Sequence, residues 1–106
     1  MTDTKLLEKI DINEGITLYK KTNGAILLDV RRIDEYSAGH IAESINIPVE
    51  EIETTSEKII DKNIPLFVYC RSGVRSTKAT EALYEMGYTK ILNIGGIIDY
   101  KGEIVE

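Results

Sequence analysis

Two nearly continuous apolar runs, AILLDV (residues 25–30) and IPLFVY (residues 64–69), constrain this chain more than any other feature. Neither alternates polar with apolar side chains, so each fits a strand covered on both faces, as in a parallel sheet. KILNI (residues 90–94) is a third such run. KLLEKI (residues 5–10) reads as an edge strand, and SINIP (residues 44–48) as a short strand ending at its proline.

Helical patterns fill the intervals. From Ser76, the residues Ala79, Ala82, Leu83 and Met86 recur at helical spacing, and Gly87 stands where a left-handed cap ends a helix near Met86. NEGITLYKKTNG (residues 13–24) fits a first helix, with Asn13 as its N-cap and Asn23-Gly24 as its stop. RIDEYSAG (residues 32–39) predicts a short helix ending at Gly39, and EEIETTSEKIID (residues 50–61) a further one. Strands alternating with helices imply an α/β fold, its central, mainly parallel sheet carrying helices on both faces. A length of 106 residues fits one domain over residues 1–106.

Composition narrows the partners. With a net charge of −5 and a sequence pI near 4.9, neither nucleic acid nor an anionic membrane is expected as a partner. No apolar run approaches a membrane span and no signal-peptide core is visible, so a cytoplasmic location is expected. The single cysteine, Cys70, excludes an internal disulfide. The charge is also uneven: Lys62, Arg71, Arg75 and Lys78 fall in one stretch, residues 62–80, that contains no acidic residue. An anion repelled by most of the surface would be drawn there.

That stretch contains VYCRSGVRS (residues 68–76), with Cys70 at the carboxyl end of a predicted strand, the edge at which α/β sheets bind ligands. If CRSGVRS bends into a compact loop, Gly73 can adopt a positive φ that turns backbone N–H groups inward. The helix starting near Ser76 adds the positive end of its dipole, and Arg71 and Arg75 add two permanent charges. All three effects favour thiolate over thiol at Cys70 and attract an anion beside it. A solitary cysteine is more often a small buried hydrophobe, but such a residue needs neither arginines nor a strand-to-helix loop.

Three segments in order, LLDVRRIDEYSAGHIAESINIP, VYCRSGVRS and LYEMGYTKILNIGGIIDYKG, resemble the single-domain rhodanese family over roughly residues 13–102. The resemblance implies the rhodanese-like fold. It implies Cys70 as a sulfur-carrying catalytic nucleophile, with Arg71, Ser72, Gly73, Val74, Arg75 and Ser76 forming the substrate loop. It also implies a sulfurtransferase that takes sulfane sulfur from thiosulfate, or another small anionic donor, and holds it as a persulfide. Cyanide, a thiol or a protein acceptor would then remove the sulfur, with no metal or organic cofactor involved. Cysteine phosphatases of related fold use C-x5-R, whereas Cys70 and Arg75 form C-x4-R, so phosphatase or arsenate-reductase chemistry is disfavoured. A relay to one specific protein partner is the alternative, because it needs the same loop. Non-enzymatic modules of this family commonly lack the cysteine.

Other residues invite narrower readings. Asp29 is a supporting candidate near the loop, although its simpler role is to anchor the following turn. Arg31 and Glu35, four apart, are expected to pair. Arg32 is a candidate for the site mouth. His40 in GHI is read as structural, since thiolate attack on sulfane sulfur needs no strong base. Glu43-Ser44 stand where the family usually has Gly-Ala, and Tyr100 where it has Trp.

Overall fold

The computed structural model describes residues 9–106. Its elements run α1 (Ile12–Lys20), β1 (Ile26–Asp29), α2 (Ile33–Ala38), β2 (His40–Ile41) and β3 (Ile45–Asn46). There follow a 3-10 segment (Val49–Thr54), α3 (Thr55–Lys58), β4 (Leu66–Cys70), α4 (Val74–Glu85), β5 (Ile91–Gly96), a short 3-10 turn (Ile97–Asp99) and β6 (Ile104–Val105). The main sheet has the order β3-β1-β4-β5, and every neighbouring pair in it is parallel. β2 and β6 form a separate antiparallel pair.

The apolar runs behave as doubly buried strands. Along β4, Leu66, Val68 and Cys70 face one core, packed against Ala79 and Leu83 of α4. Phe67 and Tyr69 face the other, packed against Ile12 and Ile16 of α1. Successive strand side chains point to opposite faces, so a continuous apolar run can serve both layers. β3 lies on one side of β1 and β4 on the other. The carboxyl ends of β1 and β4 therefore flank a reversal of strand order, where a crevice opens in this class of sheet.

Several local expectations change. α1 is capped by Asp11, not Asn13: Asp11 Oδ2 accepts from the N–H groups of Asn13 at 2.9 Å and Glu14 at 3.3 Å. A carboxylate there also complements the helix dipole. Asn13 instead ties down the carboxyl-terminal segment, donating to the Asp99 carbonyl at 3.0 Å and accepting from Lys101 N–H at 2.8 Å. The helix expected over residues 50–61 divides into 3-10 and α parts, with Glu51 outside helical geometry. α4 begins at Val74, two residues earlier than its apolar pattern shows, and its last residue, Glu85, directly precedes the Met86 cap. The edge-strand expectation for residues 5–10 lies largely outside the described residues, within which Lys9 bridges Asn93 in parallel. Glu43 takes a φ of 76° where the family pattern has glycine, and its carboxylate accepts from the Tyr19 hydroxyl at 2.9 Å.

Candidate functional site

Only Arg71, Ser72 and Gly73 separate Cys70, the last residue of β4, from the first residue of α4. So tight a connection needs a residue free of the steric penalty on positive φ, and Gly73 has φ 105°. The turn sends Gly73 N–H back to Cys70 Sγ at 3.0 Å. Ser76 N–H, in the first turn of α4, donates to the same sulfur at 3.3 Å. Backbone donors at a helix start have no intrahelical partner, so the sulfur takes the place of a capping acceptor at the positive end of the dipole. Cys70 is only 1% exposed and its apolar neighbours belong to the α4-side core. The two converging N–H groups distinguish it from a cysteine that merely fills space.

A buried polar cluster holds this arrangement. The Cys70 thiol lies 3.6 Å from Ser76 Oγ, to which it donates. Ser76 Oγ donates its single proton between Asn93 Oδ1 at 2.8 Å and the Gly73 carbonyl at 3.0 Å. Asn93 Nδ2 donates to Thr77 Oγ1 at 3.1 Å, and Thr77 Oγ1 donates to the Gly73 carbonyl at 2.8 Å. Asn93 is fully buried on β5. It is not among the candidates drawn from the sequence, although an asparagine inside an apolar strand is itself a signal, because a buried amide must find partners. Gly96 lets β5 approach the loop: a Cβ there would lie 2.2 Å from the Arg71 carbonyl oxygen and 2.6 Å from Ser72 Cα.

The charged residues divide differently from expectation. Arg31 does not pair with Glu35. It wraps back on Asp29, with Nη2 2.7 Å from Asp29 Oδ2, and donates to the Gly39 carbonyl at 2.7 Å. Asp29 Oδ1 also accepts from Arg31 N–H at 2.9 Å. Both residues are buried, and a guanidinium taken out of water needs a carboxylate and further acceptors to offset its lost hydration, which Asp29 and the Gly39 carbonyl supply. Glu35 instead receives Arg75, Nη1 to Oε1 at 2.6 Å and Nη2 to Oε2 at 3.0 Å. Those charge-assisted bonds, against the opposing effect of burial, hold the Glu35 carboxyl down to about 2. Arg32 reaches Asp34 in solvent at 3.0 Å, and its N–H donates to Glu35, the carboxylate that holds Arg75. His40 stacks on Tyr36 at 3.8 Å and its Nδ1 lies 2.8 Å from the Tyr36 carbonyl, both of which hold the ring in place.

Around the sulfur the structure thus gathers Cys70, Gly73 and Ser76, while Arg71, Ser72 and Val74 form an exposed rim. Arg71 has no ion-pair partner among the described residues. Among those residues no group of three His, Cys, Asp or Glu side chains stands ready to hold a metal ion, and no helix is long and apolar enough to cross a membrane. Chemically, the site offers a sulfur nucleophile whose negative charge would meet two fixed N–H dipoles and a helix N-terminus.

The family model described as "Rhodanese-like domain" matches residues 13–103. The chain is 42% identical over 73 residues to thiosulfate sulfurtransferase PspE of Escherichia coli, covering 68% of this chain and 70% of that protein. It is 32% identical over 97 residues to thiosulfate sulfurtransferase GlpE of Coxiella burnetii, covering 91% of this chain and 89% of that one. A solved structure titled "rhodanese with anions from E. coli" superposes with a TM-score of 0.71 at 38% identity, covering 77% of this chain and 98% of that one.

Proposed function

The chain belongs to the rhodanese-like domain family, and on that premise we propose that it is a sulfurtransferase carrying sulfane sulfur as a persulfide on Cys70. The convergence of Gly73 N–H and Ser76 N–H on Cys70 Sγ is the observation that carries this reading. The Cys70 thiolate attacks the outer sulfur of thiosulfate, an S–S bond forms, and the sulfur–sulfur bond of the donor breaks with sulfite as leaving group. The charge remaining on Cys70–S–S⁻ is stabilised by the fixed N–H donors of the loop and by the helix start. Cyanide or a thiolate then attacks the terminal sulfur, giving thiocyanate or a new persulfide and returning the Cys70 thiolate. Charge and atoms balance in both halves, so no oxidant, reductant or metal is required.

The relatives named as thiosulfate sulfurtransferases support thiosulfate as the donor class. With one cysteine in the chain, the acceptor comes from outside it, whether a small thiol or a protein. Phosphatase chemistry is disfavoured by the length of the same loop, because four residues between Cys70 and Arg75 give C-x4-R where cysteine phosphatases use C-x5-R. Thiocyanate production from thiosulfate and cyanide tests the reading. Activity in the wild type, abolished by Cys70→Ser, is expected; equal rates in both proteins would reject Cys70 as the carrier.

A further inference from the structure

Glu35 lies outside the loop in sequence yet pairs with Arg75, which belongs to it. Its two carboxylate oxygens grip the Arg75 guanidinium at 2.6 and 3.0 Å, and both side chains are largely enclosed, 19% and 27% exposed respectively. The carboxylate is itself fixed, because Oε1 also accepts from Arg32 N–H at 3.0 Å at the start of α2. Arg75 stands in the first turn of α4, between the residues that hold the sulfur, Gly73 and Ser76. The Arg75 guanidinium is held above its ordinary value first by the Glu35 carboxylate, against the effect of burial, and in smaller part by charge on Cys70. A cation in that place would favour an incoming anion strongly. Paired face to face with a carboxylate, it presents a short dipole whose field falls off much faster with distance.

We propose that Glu35 is a specificity-determining residue that withholds the charge of Arg75 from the Cys70 site and so limits its preference for highly charged anionic reactants. Arg71, exposed at the rim, and the backbone N–H groups then supply the attraction that remains. As applied to sulfur donors, the inference rests on the sulfurtransferase reading: Glu35 lowers the advantage of dianionic thiosulfate over a monoanionic or uncharged sulfane donor. As a statement about the field at Cys70, it stands independently of that reading.

The test uses two ratios in the full chain and in three variants: Glu35→Gln, Arg75→Gln and the double variant. Glutamine can still accept the Arg32 N–H bond, so the first variant removes charge while keeping the helix start. The first ratio is the Cys70 alkylation rate with iodoacetate, an anion, relative to neutral iodoacetamide. The second is the sulfur-loading rate from thiosulfate relative to a monoanionic aryl thiosulfonate. Glu35→Gln should raise both ratios about threefold to tenfold, and the gain should shrink at high salt. Arg75→Gln should lower both by a similar factor, and the double variant should return near wild type. Unchanged ratios in Glu35→Gln, with thermal unfolding showing a folded protein, would reduce the pair to a structural clasp and overturn the proposal. If Glu35→Gln does not fold, Arg75→Gln decides alone, an unchanged ratio again overturning it. If no donor loads sulfur on any variant, the sulfurtransferase reading fails while the alkylation ratio still judges Glu35.

Discussion

Asn93 Oδ1 accepts the Ser76 hydroxyl at 2.8 Å, and the two residues are fully buried beneath the loop that holds Cys70. The same oxygen accepts Gly95 N–H at 3.0 Å. One amide thereby joins the last turn of β5 to the first turn of α4, and through Thr77 it also reaches the Gly73 carbonyl. The N–H groups that converge on the sulfur owe their aim to a side chain on a different strand. Rigid support of this kind is what keeps donors fixed while charge moves.

Removing that amide should therefore loosen the site as well as the fold. Asn93→Ala leaves Gly95 N–H without its side-chain acceptor and removes one of the two acceptors of Ser76 Oγ, at a cost of about 2 kcal/mol. Sulfur loading per folded molecule should slow by roughly tenfold, because the loop donors lose their fixed positions. Thermal melts and single-turnover loading rates check the two effects separately.

Gly96 makes a sharper case. Alanine there places Cβ 2.2 Å from the Arg71 carbonyl oxygen, a backbone atom that can yield only by moving the loop away from β5. Gly96→Ala should cost about 1–3 kcal/mol and abolish most loading even in the folded fraction. At Gly73, with φ 105°, the nearest obstacle is the flexible end of Lys9, so alanine is opposed mainly by backbone strain of about 1–2 kcal/mol. Chemical denaturation of both variants should rank Gly96→Ala as the less stable.

Asp29 acts as the anchor of Arg31. With Arg31 6% exposed, Asp29→Ala strands a guanidinium away from water and should cost about 3–5 kcal/mol. The paired change Asp29→Ala with Arg31→Met should recover part of that loss, a comparison that urea unfolding can make directly.

Glu35 sets an acid limit. Its folded-state value of about 2 lies below the ordinary 4.5, so its contribution to stability is fully present above pH 4.5 and is lost as pH falls toward 2. The wild type should lose stability through that window more steeply than Glu35→Gln, whose amide does not titrate. Urea midpoints measured from about pH 5 to about pH 2 should converge for the two proteins as the pH falls.

Much of this architecture is legible in the residues themselves. The runs at β1, β4 and β5 show a parallel sheet because burial on both faces removes polar positions from the pattern. The position of Cys70 and the need for Gly73 follow from a strand that must turn at once into a helix. Ion pairing was less visible, because Arg31 and Glu35 sit at helical spacing, yet helix α2 starts only at Ile33. Arg31 therefore lies outside the helix and is drawn to the buried carboxylate two residues before it, while Glu35 takes a partner forty positions away. Asn93 stands out in its apolar strand as an amide in need of partners, but that those partners are Ser76 and Thr77 is a long-range relationship that a local pattern does not encode.

The central claim is that Cys70 carries sulfur, and intact-protein mass spectrometry after thiosulfate treatment reads it most directly. The wild type should gain the mass of one sulfur atom, lose it on addition of cyanide, and show no gain as Cys70→Ser. A wild type that gains nothing from thiosulfate or any other sulfane donor, or a Cys70→Ser variant that gains the same mass, would contradict the account.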